Sequence, residues 1–199
     1  MWIYNWGDLP GSLVVISGPS GSGKSTIIRR LLEQFPEIHA ELSVSATTRP
    51  PRLGERPGID YHFFTPEQFQ SMVDNHELLE SAEYNHHHYG TPQGPVQAAL
   101  AAGKCVLLEI ETQGAMQVRK KAPTALFVFI DVSSFHDLAS RLRKRATESE
   151  LQIHNRLVIA REERDQAHCY DFCIKNDNLD QAVDDLAKLL KQLTTSAGS

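Results

Sequence analysis

The sequence has no run of apolar residues long enough to cross a membrane. A transmembrane helix needs about 20 consecutive apolar residues, and the apolar runs in these 199 residues are only strand-length. The first six residues also lack the charged and apolar segments of a secretory signal peptide. We therefore expect a cytoplasmic protein that has no membrane partner.

Cysteine is scarce as well, and an excess of basic residues is absent. Three cysteines, Cys105, Cys169 and Cys173, are too few for a disulfide framework. His168 precedes Cys169, but no second Cys/His pair completes a four-ligand zinc site. The formal net charge is −5, whereas a general nucleic-acid-binding protein carries a basic excess. We expect reduced thiols and no nucleic-acid partner; the sequence leaves a homo-oligomer open.

What the sequence does contain is a phosphate-binding loop. Residues 18–26 fit the pattern G-x-x-x-x-G-K-[ST]. An apolar, β-branched run at residues 12–17 precedes the loop, and apolar residues at helical spacing follow it. Backbone N–H groups of such a loop and the N-terminus of its helix together form an anion site. The predicted binding residues for a nucleoside triphosphate are Gly18, Pro19, Ser20, Gly21, Ser22, Gly23, Lys24, Ser25 and Thr26.

Two residues of this loop have distinct predicted tasks. Lys24 is expected to reach the β- and γ-phosphates, and the Ser25 hydroxyl is expected to be a ligand of Mg²⁺. Glu109 lies near the carboxyl end of a second apolar strand at residues 105–110 and is the predicted carboxylate ligand of the metal. Both positions fall at carboxyl ends of strands, where ligands bind in open parallel sheets.

The order of elements predicts an α/β fold. Apolar strands at residues 12–17, 105–110 and 126–131 alternate with helices, which indicates a parallel sheet with helices on both faces. About 45 residues between the first helix and the second apolar strand read as a small β-rich insertion. Within this region residues 41–45 alternate as a strand does, and Thr65 and Gln68 predict a capped helix.

Two basic segments point to a second phosphate. Arg49 and Arg52 lie three residues apart in a proline-rich loop that Tyr61 follows, and the planar guanidinium suits bidentate phosphate binding. A second cluster occupies residues 141–145. A phosphate site beside a P-loop indicates that a phosphorylated acceptor takes the γ-phosphoryl group.

At this point a resemblance becomes specific. The chain resembles the guanylate kinase family over residues 11–193. The segments that carry the resemblance are SVSATTRPPR at 43–52, GIDYHFF at 58–64, LLESAE at 78–83, YGT at 89–91 and LEIETQG at 108–114. It implies ATP-dependent phosphorylation of GMP, and of dGMP, with Mg²⁺ in purine nucleotide metabolism.

The resemblance also implies an architecture and a set of site residues. The expected unit spans residues 1–199 as a P-loop kinase. A core at about 11–45, 95–133 and 168–193 carries a GMP-binding insertion at about 46–94 and a helical lid at about 134–167. Implied GMP-binding residues are Ser45, Arg49, Arg52, Tyr61, Glu80, Tyr89, Thr91 and Glu111. Implied catalytic residues are Lys24, Arg141, Arg145 and Arg156, and Asn176 is implied near the adenine.

The chemistry of guanine agrees with one of these assignments. Guanine presents N1–H and N2–H₂ donors beside an O6 acceptor. One carboxylate, Glu80, can accept from both donors, and the hydroxyls of Ser45 or Thr91 can donate to O6. Adenine reverses the pattern at positions 1 and 6 and would leave Glu80 poorly paired.

The chain also departs from the family. Lys144-Arg145-Ala146 replaces a usual Gly-Arg-Gly in the lid, and Glu111 replaces a usual aspartate. Histidines at 86–88 precede Tyr89 where the family favours Gly-Asn-Tyr. Successive strand residues point to opposite faces, so these histidines are not expected to converge on one metal.

Three other functions remain as alternatives. A non-catalytic guanylate kinase-like interaction module typically lacks the P-loop lysine or the lid arginines, which are present here. A GTPase switch is indicated only by Glu111-x-x-Gly114, without an N-K-x-D motif. A kinase for another small acceptor is opposed by Ser45, Glu80 and Thr91.

Overall fold

The computed structural model of the chain describes residues 6–84, 86–144 and 150–196. Arg145, for which a lid role is expected, lies outside these residues, as does Ala146. The strands are β1 (Ser12–Ser17), β2 (Ala40–Leu42), β3 (Ala46–Thr47), β4 (His62–Phe63), β5 (Leu78–Tyr84), β6 (His87–Pro92), β7 (Cys105–Glu109), β8 (Leu126–Asp131) and β9 (Phe172–Lys175). The helices are α1 (Lys24–Gln34), α2 (Pro66–Asp74), α3 (Gln93–Ala101), α4 (Thr112–Lys121), α5 (Phe135–Lys144), α6 (Glu150–Asp165) and α7 (Leu179–Ser196).

The main sheet is parallel and has the order β2-β7-β1-β8-β9. Each connection between its strands passes through at least one helix, as parallel pairing requires. β1 lies at the centre and pairs with β7 on one side and β8 on the other. The predicted parallel sheet flanked by helices is confirmed, and the carboxyl ends of β1 and β7 lie side by side.

Alternate side chains of β1 build two separate cores. Leu13 and Val15 pack with α3 and α4 on one face, whereas Val14 and Ile16 pack with α1 and α7 on the other. All four are buried, and each contributes about 1.5–3 kcal/mol relative to an exposed side chain. This double burial fixes β1, and with it the start of the P-loop, from both faces.

A second sheet of order β4-β3-β6-β5 forms the insertion. Helix α2 covers it through Phe69. The Thr65 hydroxyl accepts from the Gln68 N–H, and the Gln68 side chain accepts from the Thr65 N–H, as the predicted capping box requires.

The single strand predicted at residues 41–45 is wrong. β2 ends at Leu42 in the main sheet and β3 begins at Ala46 in the second sheet. The chain passes from the main sheet to the second sheet between β2 and β3. The alternating pattern does not reveal this change, because alternation does not encode which sheet a strand joins.

The region expected to form the lid contains α5 and α6. Leu138 of α5 and Ala160 of α6 pack on Val132, which follows β8. The buried Asp131 at the end of β8 contacts the Arg164 side chain at 3.0 Å and that of Lys175 at 2.6 Å. The C-terminal end of α6 is therefore tied to the edge of the main sheet. Among the described residues, no helix combines the length and apolarity needed to cross a membrane.

Candidate active site

The P-loop joins the end of β1 to the start of α1. Gly23 stands at the N-cap position with φ of 96°, a left-handed conformation that favours glycine. A Cβ at this position would overlap the Nδ2 atom of Asn176. Because Gly23 has no side chain to cap the helix, the N–H groups of the first turn face the cavity and are available to an anion.

Lys24 closes the loop on itself. Its Nζ atom donates to the carbonyl of Gly18 at 2.6 Å and to that of Pro19 at 3.3 Å, and only 9% of the residue is exposed. The next residue, Ser25, donates from its hydroxyl to Glu109 at 2.6 Å. The predicted pair of hydroxyl and carboxylate thus meets where β7 ends.

The outer side of the P-loop is supported by the segment after β9. The Asn176 side chain donates to the Ser22 carbonyl at 2.6 Å. Arg141 of α5 donates to the Asn176 carbonyl at 2.7 Å and more weakly to that of Ser22 at 3.4 Å. Asn176, expected near the adenine, and Arg141, expected in the lid, therefore both donate to the Ser22 carbonyl of the loop.

A cluster around Arg49 lies across the cavity. The Arg49 guanidinium lies 5.5 Å from the centre of the Tyr61 ring and hydrogen-bonds to Tyr89. The two tyrosine rings pack edge to face, with centroids 6.1 Å apart. Burial raises the pKa of Tyr61 to about 12, so its hydroxyl remains a donor at neutral pH.

Glu55 completes this cluster. Both of its oxygens accept from one Arg49 nitrogen, at 2.8 and 2.9 Å, and one accepts from the Arg52 backbone N–H at 2.7 Å. Burial alone lowers the pKa of Arg49, but the hydrogen bonds and charge of Glu55 outweigh it and raise that pKa. The guanidinium is therefore held as a fixed cation at the cavity wall.

Glu80 lies deeper in the same cavity, with 4% of the residue exposed. The Thr91 hydroxyl donates to its Oε1 atom at 2.7 Å. Burial raises the pKa of Glu80 to about 7, although the Thr91 hydrogen bond and the Lys121 charge oppose this shift. In this arrangement the Thr91 hydroxyl binds the carboxylate, whereas sequence reasoning has it donate to a base.

A second buried carboxylate, Glu163, comes from α6. It hydrogen-bonds to Glu111 and accepts from the Ser20 backbone N–H of the P-loop. Burial, followed by the hydrogen bond and charge of Glu111, raises the pKa of Glu163 well above its ordinary value. Glu163 thereby links α6 to the P-loop. Arg156, about two helical turns before it, donates to the Ser20 hydroxyl.

These groups face one open cavity of about 300 Å³. The predicted residues that line it are Ser20, Gly21, Gly23, Lys24, Ser25, Thr26, Ser45, Arg49, Arg52, Tyr61, Glu80, Tyr89, Glu109, Glu111 and Arg156. Six predicted residues do not line it: Gly18 and Pro19 accept from Lys24, Thr91 donates to Glu80, and Arg141 and Asn176 donate to the carbonyl of Ser22. Sequence reasoning did not single out Tyr84 and Asp60, which also line the cavity.

Sequence reasoning also missed Glu55 and Glu163. Glu55 lies six residues after Arg49, and its proximity to two arginines in a turn-rich loop was a usable signal. Glu163 lies in a helix among other charged residues, and nothing in its local sequence distinguishes it from them.

The donor atoms at the P-loop fit magnesium. Mg²⁺ prefers oxygen ligands and is commonly held by one or two carboxylates together with substrate phosphates and water. Ser25 and Glu109 supply one hydroxyl and one carboxylate at the cavity. Among the described residues no group of three or more His, Cys, Asp or Glu side chains forms a metal cage. The site therefore suits a metal that arrives with a phosphorylated ligand.

Comparison with known proteins gives consistent matches. The model of the guanylate kinase family matches residues 11–193. The guanylate kinase of Synechococcus sp. (strain CC9902) is 49% identical over 185 residues, which cover 93% of this chain and 94% of that protein. The guanylate kinase of Desulfitobacterium hafniense (strain Y51) is 46% identical over 180 residues, 90% of this chain and 89% of the relative. The crystal structure of guanylate kinase from Anaplasma phagocytophilum superposes with a TM-score of 0.74 at 30% identity, covering 92% of this chain and 86% of that one.

Proposed function

The chain belongs to the guanylate kinase family, and on that premise we propose that it transfers the γ-phosphoryl group of ATP to GMP. A phosphate oxygen of GMP forms the new bond to the γ-phosphorus, and the bond from that phosphorus to the β–γ bridging oxygen breaks. The products are ADP and GDP; dGMP is proposed as a second acceptor. The observation that carries the proposal is that a P-loop, a cationic cluster and a buried carboxylate face one cavity.

ATP is proposed to occupy the P-loop side. The N–H groups at the start of α1 and the Lys24 ammonium bind its phosphates; the ammonium has three N–H donors, of which two face the Gly18 and Pro19 carbonyls. Ser25 and Glu109 would hold Mg²⁺, which neutralises phosphate charge when it is bound. Asn176 acts on the adenine side, where it also supports the Ser22 carbonyl.

GMP is proposed to bind opposite, with its phosphate on the cluster around Arg49. Arg49 and Arg52 supply charge-assisted hydrogen bonds, and Tyr61 and Tyr89 donate from their hydroxyls. The bond of Arg49 to Glu55 fixes the guanidinium before the phosphate arrives, so less side-chain entropy is lost on binding.

The guanine base is assigned to Glu80. Its ionised carboxylate has about four acceptor positions, and Thr91 fills only one of them. The remaining positions can accept from guanine N1–H and N2–H₂, while the Ser45 hydroxyl donates to O6. Glu111 lies between this base site and the metal site.

The lid is proposed to supply the cations that act on the transferred group. Arg156, together with Arg145, is assigned to the charge that develops on the phosphoryl oxygens, where fixed cations stabilise a transition state most. Arg141 reaches the P-loop from α5. The presence of Lys24 and these arginines opposes the non-catalytic alternative.

A coupled assay of ADP release with GMP, dGMP, AMP, CMP and UMP tests the proposal. GMP and dGMP should give turnover, and the other acceptors should be used at least about a hundredfold less well, since unpaired polar groups in a base site are strongly penalised. Equal use of AMP, or no turnover with any acceptor, would overturn it. We also propose residues 1–199 as one kinase unit in the cytoplasm, where ATP and GMP are available.

A further inference from the structure

The carboxylate of Glu80 is positioned by contacts on two sides. The Thr91 hydroxyl binds its Oε1 atom from β6, and Gly114 of α4 lies against its other oxygen. A Cβ at Gly114 would overlap Oε2 and come within 3.0 Å of the Glu80 Cδ atom. Glycine at this helical position is therefore what lets the carboxylate lie directly on α4.

Pairing with β6 alone does not fix where Glu80 lies along β5 relative to the cavity. β5 lies at the end of the second sheet, and its pairing with β6 shifts register between Leu78 and Glu80. A register shift displaces the following residues relative to the partner strand. The position of Glu80 therefore depends on a second set of contacts, which are made at the free edge of β5.

Side chains of α4 occupy that free edge. The Gln117 amide makes two bonds to the backbone of Ser81: its Nε2 donates to the carbonyl at 2.7 Å, and its Oε1 accepts from the N–H at 3.2 Å. Lys121 donates from Nζ to the carbonyls of Leu79 at 2.6 Å and Leu78 at 3.3 Å. Backbone groups immediately before and after Glu80 are thus bonded to one helix.

Gly114, Gln117 and Lys121 share one face of α4, because they are spaced i, i+3 and i+7. Helix α4 begins three residues after Glu109, which binds Ser25 of the P-loop. It therefore connects the phosphate end of the main sheet to the base end of the insertion. We propose that this face of α4 positions the Glu80 carboxylate and thereby determines the preference for guanine over hypoxanthine. The inference rests on the proposed function, because it concerns the same acceptor site.

Lys121 also acts on Glu80 through its charge. Besides burial, the groups that act on the pKa of Glu80 are the hydroxyl and backbone N–H of Thr91 in β6 and the Lys121 ammonium of α4, which lower it, and the Glu111 carboxylate, which raises it. Loss of the Lys121 charge should therefore raise the pKa of Glu80. A purely structural anchor would leave this pKa unchanged.

The experiment compares Gln117→Leu and Lys121→Met with Lys120→Met. Lys120 is the exposed neighbour of Lys121 on the same helix, so its variant removes an equal charge without touching β5. For each protein, kcat/KM is measured with GMP and with IMP, which lacks the N2 amino group, between pH 6 and 9. The KM for ATP and the melting temperature are recorded in parallel.

We expect the GMP/IMP ratio of kcat/KM to fall about three- to tenfold in Gln117→Leu, the effect of one or two displaced hydrogen bonds. Lys121→Met should also lower this ratio, and its pH profile with GMP should shift to higher pH. Lys120→Met should match the parent in both measurements, and KM for ATP should change in none of them.

Two results would overturn the inference while leaving the proposed function intact. One is that the parent is active and both variants keep its GMP/IMP ratio of kcat/KM. This includes the case in which kcat/KM falls equally with GMP and with IMP. The other is a pH profile of Lys121→Met that coincides with that of Lys120→Met. If Gln117→Leu does not fold, the surface variant Lys121→Met decides alone. A parent without GMP turnover would instead refute the proposed function.

Discussion

Glu55 places both oxygens of its carboxylate on a single guanidinium nitrogen of Arg49, at 2.8 and 2.9 Å. A second Arg49 nitrogen donates to the Pro50 carbonyl at 2.7 Å. The guanidinium is thereby oriented by two acceptors from its own loop, and its remaining N–H groups are left for the cavity.

Arg49→Ala should raise the KM for GMP roughly 10- to 100-fold, the cost of losing charge-assisted hydrogen bonds to a phosphate. Glu55→Gln keeps one oxygen acceptor for Arg49 and should raise the KM for GMP much less. Steady-state kinetics with GMP varied at saturating ATP measure both. A GMP KM in Arg49→Ala within about twofold of the parent would contradict the phosphate assignment.

The pKa of Glu80, about 7, predicts a pH dependence for GMP use. Below this value Glu80 is protonated and presents an O–H toward guanine donors, whereas above it both oxygens accept. kcat/KM for GMP should therefore rise from pH 6 to 8 and then level off. Glu80→Gln controls for the GMP phosphate, which itself titrates near pH 6. This variant should have a lower kcat/KM for GMP and a smaller ratio of kcat/KM for GMP over IMP. Its kcat/KM for GMP should not rise near pH 7. An unchanged GMP/IMP ratio in Glu80→Gln would refute its role as the guanine reader.

Lys24→Met should lower kcat at least about a hundredfold, because one fixed cation is lost where phosphoryl charge develops. The fold should persist, since among the described residues the side chain hydrogen-bonds to carbonyls of its own loop. Circular dichroism checks the fold and the coupled assay checks turnover. A kcat within about tenfold of the parent would be incompatible with the P-loop assignment.

Arg156→Ala should lower kcat far more than it raises the KM for GMP, since a lid cation acts mainly on developing charge. The same split is expected for Arg145→Ala. Arg143→Ala is the matched control, because Arg143 is exposed on α5 and pairs with Glu150 at 2.9 Å. If Arg156→Ala raised only KM, or if Arg143→Ala had an equal effect, the catalytic role of the lid arginine would be wrong.

Glu163→Gln should change how stability depends on pH. Burial and the neighbouring Glu111 raise the pKa of Glu163 in the folded protein above its ordinary value of 4.5, so its contribution to stability is complete below about pH 4.5 and is lost as pH rises toward the folded-state pKa. The neutral amide removes this loss. The melting temperature of the variant should rise relative to that of the parent from pH 5 to 9. A difference in melting temperature that stays constant with pH would exclude a raised pKa for Glu163.

Glu111→Asp should remain active, with local repacking around the shorter side chain.

Local sequence was sufficient for the parts of the molecule that are built from neighbouring residues. β1 and β8 have the bounds that their apolar runs predicted, and the P-loop needed only nine consecutive residues. The main sheet and the Thr65 cap followed for the same reason. These features depend on periodicity and on short-range hydrogen bonds, which the order of residues encodes directly.

The contacts that position the site could not be read in this way. Gln117 reaches Ser81 across 36 positions, and Glu163 meets Glu111 from another helix. Such pairs arise when separate elements pack, and polar residues at their surfaces look alike in sequence. The resemblance pointed to Glu80 and Arg49 as binding residues, but it did not predict that Thr91, Glu55 or α4 would hold them in place.

The bond from Asn176 to Ser22 joins residues 154 positions apart. During synthesis, β1 and α1 leave the ribosome long before the strand that supports the loop between them. The nucleotide site therefore reaches its final form only when nearly the whole chain has emerged, and a product truncated before β9 would carry the P-loop motif without its supporting wall. Completion of the chain and support of the P-loop backbone are linked by this amide.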